Sequence, residues 1–274
     1  MTGDQFIVST MTWSFSRLEA FYDCPYGWKR RYIECEEGEG NFYSSYGKLC
    51  HSILEKYCKG ELSESDLLTE FIERFDDEVT EPAPYNKYVD IRENYYMKGL
   101  GYFNNFKRLF GDGYKIIDAE VPVEFEVDGY PFVGYIDALV KDPDGKLIVV
   151  DHKSASMKFN RDGKPSKKSI EKINTYKKQM YLYCKALMDQ GMHPEIIAWN
   201  FFNDRVTYQI PFDFNEYKVA LKWAVDTIHL IENETEYAHK DNFYFCRNIC
   251  NVRSTCPYNQ QVVKEEADDR SGFY

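Results

Sequence analysis

The chain has no run of eighteen consecutive apolar residues, and its N-terminus shows no basic, then apolar, then small-residue pattern. The first absence argues against a membrane-spanning helix and the second against a secretory leader. Both predict a soluble, cytoplasmic protein with no membrane partner, in which the eight cysteines stay reduced instead of building a disulfide framework. Internal repeats and low-complexity linkers are also missing. Positive charge is in deficit, with 34 Lys and Arg against 45 Asp and Glu, so a surface that grips nucleic acid all round is disfavoured. What the chain does have is apolar content, 43% of 274 residues, enough for a substantial core.

The charge is unevenly placed. Between positions 158 and 178 stand Lys158, Arg161, Lys164, Lys167, Lys168, Lys172, Lys177 and Lys178, opposed only by Asp162 and Glu171. Such a strip suits phosphate binding, or a solvated loop and helix face. Compensating acid lies between Glu61 and Glu81 and in the tail from Lys264 to Arg270.

Apolar spacing predicts an irregular lead-in over 1–12, then a helix from about Ser14 towards Tyr32, opened by a Ser16/Glu19 capping box and kinked or divided at Cys24-Pro25. A helix follows over 46–59, with His51 close to its apolar stripe, and two more at about 64–79 and 88–110. After Gly111-Asp112-Gly113 the pattern turns to strands at 116–125, 130–140 and 146–153, joined at Asp128-Gly129 and at Asp142 to Gly145. A loop over 158–169, a long helix to Gln190 stopped by Gly191, two short strands and a helix over 215–234 complete the pattern. This predicts one α/β domain over 1–274 with a small mixed sheet. It comprises an N-terminal helical part (1–111), a sheet-and-helix part (112–212) and a C-terminal helix with a cysteine group (213–274).

The hairpin of the second and third strands carries the first chemical inference. If its loop is 142–145, facing residues have numbers summing to about 287 or 288, so Asp137 meets Asp151. Side chains alternate, so Lys153 shares a face with Asp151 while His152 points to the other. Two carboxylates and an amine on one face beside the apolar run 147–150 are costly unless a cation joins them. Mg²⁺ or Mn²⁺ would serve, with hard oxygen ligands and a lysine to orient a water, as phosphodiester hydrolysis requires. An Asp-x-Lys tripeptide alone would more simply be a surface ion pair.

Other groups extend this set. Gln179 and Tyr183 share one face of the long helix with Tyr176, where they could order a water or phosphate or simply pack in the core. His51 could be a core residue or a Mn²⁺ ligand. Cys246, Cys250 and Cys256 fall within eleven residues, and Cys24 offers a fourth thiol. Four thiolates suit an iron-sulfur cluster or zinc.

Taken together, the motifs resemble those of the RecB-like branch of the PD-(D/E)XK nuclease superfamily that carries a four-cysteine iron-sulfur cluster. The pattern is similar to CRISPR-associated RecB-like exonucleases, to nuclease domains of bacterial helicase-nucleases and to stand-alone phage members. Residues 14–26 resemble the opening segment, Gly47 to His51 the histidine motif, and Gly134-Tyr-Ile-Asp137, Asp151-His-Lys153 and Gln179-Met-Tyr-Leu-Tyr183 the following three. Cys246, Cys250 and Cys256 resemble the closing cysteines, though three residues separate the first two where the family more usually has two.

The resemblance implies a restriction-endonuclease-like core. It implies that His51, Asp137, Asp151 and the His152 backbone carbonyl ligate Mg²⁺ or Mn²⁺, that Lys153 holds the water, and that Gln179 and Tyr183 steady the site. The usual glutamate of the preceding strand would be Glu120 or Glu124. Cys24, Cys246, Cys250 and Cys256 would hold a 4Fe-4S cluster, with zinc as the alternative, stapling the chain's two ends. The expected activity is a metal-dependent DNase, an exonuclease on single strands or DNA ends in recombination, repair or phage DNA processing. Lys158, Arg161, Lys164, Lys167 and Lys168 would meet the DNA. The expected setting is bacterial or phage-infected cytoplasm, with a recombinase, helicase or single-strand-binding protein as partner. The rival expectation is a DNA-binding or scaffolding module on a nuclease fold.

Overall fold

The structure, a computed structural model, describes residues 2–106 and 111–259; the acidic tail 264–270 lies outside them. The lead-in is not irregular. Thr2 and Gln5 close a capping box that starts helix α1 (Gly3–Ser9). Helix α2 (Phe15–Asp23) is capped by Ser14, whose side chain accepts from the Arg17 amide, so the predicted Ser16/Glu19 box is displaced by two residues. Cys24-Pro25 divides the helical stretch. Cys24 turns extended and the proline occupies the first turn of α3 (Pro25–Tyr32), where its missing N–H costs nothing.

Helices α4 (Phe42–Cys58), α5 (Leu67–Glu78) and α6 (Ile91–Asn104) pack on one another through Tyr46, Leu49, Ile53, Phe71, Phe75 and Phe103. Helix α6 begins later than its apolar pattern suggests because Asp90 caps it, accepting from the Glu93 amide.

Five strands form one mixed sheet in sequence order: β1 (Lys115–Val127), β2 (Tyr130–Lys141), β3 (Leu147–Lys153), β4 (Pro194–Phe201) and β5 (Val206–Pro211). All neighbours are antiparallel except β3 and β4. That parallel step requires a crossover, which the 23-residue helix α7 (Lys167–Asp189) supplies. Helix α8 (Phe214–Glu232) packs beside α7, and α9 (Phe243–Asn248) follows.

The β2–β3 register is Ala138 to Val150, Leu139 to Val149 and Val140 to Ile148, a constant sum of 288. The Asp128-Gly129 turn has both residues at positive φ, as a two-residue hairpin needs. Beyond Ala138, β3 no longer covers β2. There Trp13 takes its place, bonding Pro131 and Val133. The β1–β2 ribbon therefore reaches past the main sheet. One face of it, Val123, Phe125, Val127 and Phe132, is buried in the core beneath α7.

The predicted loop 158–169 is more regular than its composition suggests. Phe159 and Pro165 form a bridge around a turn at Asn160 to Gly163, and Phe159 lies against Phe201 and Tyr208. It is a small basic finger on the β4–β5 side of the sheet.

Candidate metal centre

Where the β2–β3 ladder ends, a side chain takes over from the backbone. The His152 amide of β3 donates to Asp137 Oδ2 at 2.6 Å, so the β2 carboxylate accepts where a backbone carbonyl would otherwise face it. His51 of α4 brings Nδ1 to 3.5 Å from that same oxygen. Glu120 reaches the group from β1, and ligand atoms of His51, Glu120 and Asp137 lie within 4.8 Å of one another. Two oxygens and an imidazole nitrogen are a donor set that a Mg²⁺- or Mn²⁺-sized ion accepts. The structure thus resolves the choice of glutamate by position: Glu120 is in the group, whereas Glu124 is exposed opposite Val133. Glu120 has φ +50°, a left-handed backbone in mid-strand that a side-chain-bearing residue adopts only at an energetic cost.

Asp151 lies beside this group. The residue is 4% exposed, and Lys153 Nζ stands 3.0 Å from its carboxylate and 2.9 Å from Gln179 Oε1. The ammonium also lies 4.7 Å from the centre of the Tyr176 ring. Lys153 is thereby held on three sides. Burial pushes Asp151 up to about 6, against the pull of Lys153, and the nearby Asp137 charge adds to the rise. Glu120 is raised by burial and by Asp137. Asp151 and Glu120 thus both carry a burial penalty on their charged forms that a cation would offset.

Tyr183 bonds to Gln179 and is pushed up to about 12, chiefly by burial. Its ring rests on Gly134, where an added Cβ would come within 2.4 Å of it. Only glycine lets α7 approach β2 so closely.

His152 faces the other way, as alternation requires. It is buried, its ring meets His51 edge-on at 5.7 Å, and its Nδ1 is 3.1 Å from Asn200 Nδ2, which also donates to the Tyr102 hydroxyl at 2.7 Å. Burial pushes it down to about 4, so the ring is neutral. Asn200 and Tyr102 escaped the sequence reasoning. The signal available was a lone asparagine inside the apolar strand β4.

A model of the PD-(D/E)XK nuclease superfamily matches residues 12–257. The chain belongs to this superfamily. The nuclease resembles the crystal structure of a putative exonuclease from Eubacterium rectale, with a TM-score of 0.51 at 13% identity over 91% of this chain and 87% of that one. That likeness speaks for the fold. A second solved chain, SSO0001, aligns over 93% of the nuclease and 96% of its own length at 17% identity, with a TM-score of 0.34. No curated protein matches. Among the described residues of the nuclease no helix is long and apolar enough to cross a membrane.

The remaining predicted residues fall in two places. Lys158, Arg161 and Lys164 lie on the basic finger, and Lys167 and Lys168 in the first turn of α7, all exposed. Cys24, Cys246, Cys250 and Cys256 line one cavity of about 380 Å³. The Gly27 amide donates to Cys24 Sγ at 3.4 Å. Burial pushes Cys250 up to about 11 and raises Cys246, with the neighbouring thiols adding to both. This cysteine segment is tied to the start of α4. The Glu39 amide donates to the Asn251 carbonyl, the Asn41 side chain to that of Ile249, Arg253 to that of Gly40, and Tyr43 meets Tyr244.

Proposed function

We propose that this nuclease is a divalent-metal-dependent DNase that digests single-stranded DNA or DNA ends. The observation that carries the reading is Lys153, an ammonium fixed by Asp151, Gln179 and Tyr176 next to a His51–Glu120–Asp137 donor group. His51, Glu120 and Asp137 would hold Mg²⁺ or Mn²⁺, with Asp151 alongside. When bound, such an ion supplies Lewis-acid polarisation of the scissile phosphate and charge for the developing oxyanion. Lys153 Nζ donates to the attacking water and holds it in line, while Gln179 and Tyr183 keep the amine from collapsing wholly onto Asp151. The basic finger and the first turn of α7 draw the DNA backbone in. Tyr102, Asn200 and His152 fix the imidazole wall behind His51.

We further propose that the four cysteines hold a 4Fe-4S cluster. What supports the reading is that these four thiols, from the two ends of the fold, line one cavity, a donor set that such a cluster takes. Bound, the cluster supplies a crosslink between residue 24 and residues 246–256. Brown protein with broad visible absorbance that bleaches on reduction is expected; colourless protein with stoichiometric zinc would refute the cluster.

The activity test is purified protein, Mg²⁺ or Mn²⁺, and end-labelled single-stranded and duplex oligonucleotides. Progressive shortening from an end is expected, abolished by EDTA. Full activity in Lys153→Ala would overturn the site, and DNA binding without metal-stimulated cleavage would favour a scaffolding role.

A further inference from the structure

Tyr135 lies two residues before Asp137 on β2, about 7 Å along the strand, and is 61% exposed. Its neighbours Gly134 and Ile136 are turned to the core under α7. Tyr135 therefore stands on the opposite face, the one from which α4 delivers His51. Among the described residues no ring packs on it and no hydrogen bond holds its hydroxyl. A large ring left bare beside a candidate metal group is a platform for something planar.

The same outer face shows how far a substrate would extend. Tyr135 faces Pro122 across the ribbon, and beyond this pair the outward positions are Glu124, opposite Val133, and Glu126, opposite Pro131. Two exposed carboxylates in a row repel a phosphate backbone. The attractive charge lies across the sheet, on the finger that packs against β4 and β5.

We propose that Tyr135 stacks on the nucleobase beside the scissile phosphate and that the acidic ribbon beyond it ends the substrate path. The proposal rests on the nuclease reading and deepens it. A strand enters past the basic finger, crosses the metal group and meets Tyr135 with its last bases. Stacking needs a base face that has left its neighbour in the stack, which single strands and frayed ends offer most readily, so the residue favours them.

The test uses the full-length protein and oligonucleotides carrying one abasic residue at each position near the cut. Tyr135→Ala should weaken single-strand binding in Ca²⁺ about ten-fold, the order expected for one base–aromatic stack, and raise KM to match. Tyr135→Phe should behave as wild type. Mn²⁺ binding and thermal unfolding should not change in either, because the ring supports nothing in the fold. With the abasic residue beside the cut, wild type and Tyr135→Ala should become equal. Equal affinity of the two proteins for the intact strand, or an undiminished difference on every abasic strand, would overturn the proposal. A wild type that binds strands but cuts none would instead sink the nuclease reading, and the Ca²⁺ binding comparison would still decide Tyr135.

Discussion

The carboxylate group and the cysteine cavity both gather residues from distant parts of the chain, but they are held in opposite ways. Asp137, Asp151 and Glu120 sit on paired strands, and His51 on a 17-residue helix. Their positions are fixed by the ladder and the core whether or not an ion is present. The cysteines sit on a helix cap, a six-residue helix and the turns behind it. A stiff scaffold can carry mutually repelling groups at a cost to stability, whereas short turns need something to hold. The first site should therefore gain stability when it is dismantled, and the second should lose it.

The largest expected effect lies at the first site. Lys153→Ala should reduce the cleavage rate by about 10²–10³-fold in a single-turnover assay, the scale for removing a group aimed at the reacting centre. Next is the cavity. Cys24→Ser and Cys250→Ser should each lower stability by roughly 2–5 kcal/mol in denaturant melts, as when a covalent link closing a long loop is lost. Unchanged melts would erase the contrast between the two regions. A smaller effect separates the two glutamates: Glu120→Gln should weaken Mn²⁺ binding at least about ten-fold by calorimetry, and Glu124→Gln should not.

The smallest effect has the opposite sign. Burial raises Asp151, so the stability that group contributes is fully present below its ordinary value near 3.8 and is lost as pH rises through about 6. In EDTA, Asp151→Asn should melt above wild type at neutral pH, and the gap should close as the pH is lowered from 6 to 4. A variant that melts lower at neutral pH would show that the Lys153 pair outweighs the burial.

Much of this site was legible because β-hairpins obey arithmetic. A loop read at 142–145 gave a sum of 287 or 288; the loop is one residue longer, 142–146, which sets 288 and brings Asp137 to Asp151, and alternation sends Lys153 and His152 to opposite faces. The glutamate was left open although the same arithmetic reaches it: Glu120 and Glu124 share one parity on β1, but the two-residue turn at Asp128-Gly129 sets a sum of 257 that brings Glu120 to Asp137 and Glu124 to Val133, and the irregularity between Ile116 and Asp118 lies beyond both. Helix α1 was missed because its signal is a two-residue cap, Thr2 with Gln5, without a strong apolar stripe. The finger 158–166 was read as loose because its lysines and glycine are loop-forming, while its order comes from Phe159 docking on a sheet not yet built at that level of reading.

The ties between residues 39–43 and the cysteine segment also bear on how the protein is made. Cys24 leaves the ribosome 222 residues ahead of Cys246, a wait of roughly 10–45 s at about 5–20 residues per second. Until residues 249–253 emerge, the start of α4 rests on its own capping box and on Phe42 and Tyr46 in the helical core, without the hydrogen bonds that later tie it to the cysteine segment. A nascent chain would therefore carry its aspartates, its lysine, its histidine and its sheet before the cysteine cavity can close. The carboxylate group is in this sense the elder of the two sites, and whatever the cysteines hold is added to a scaffold that already stands.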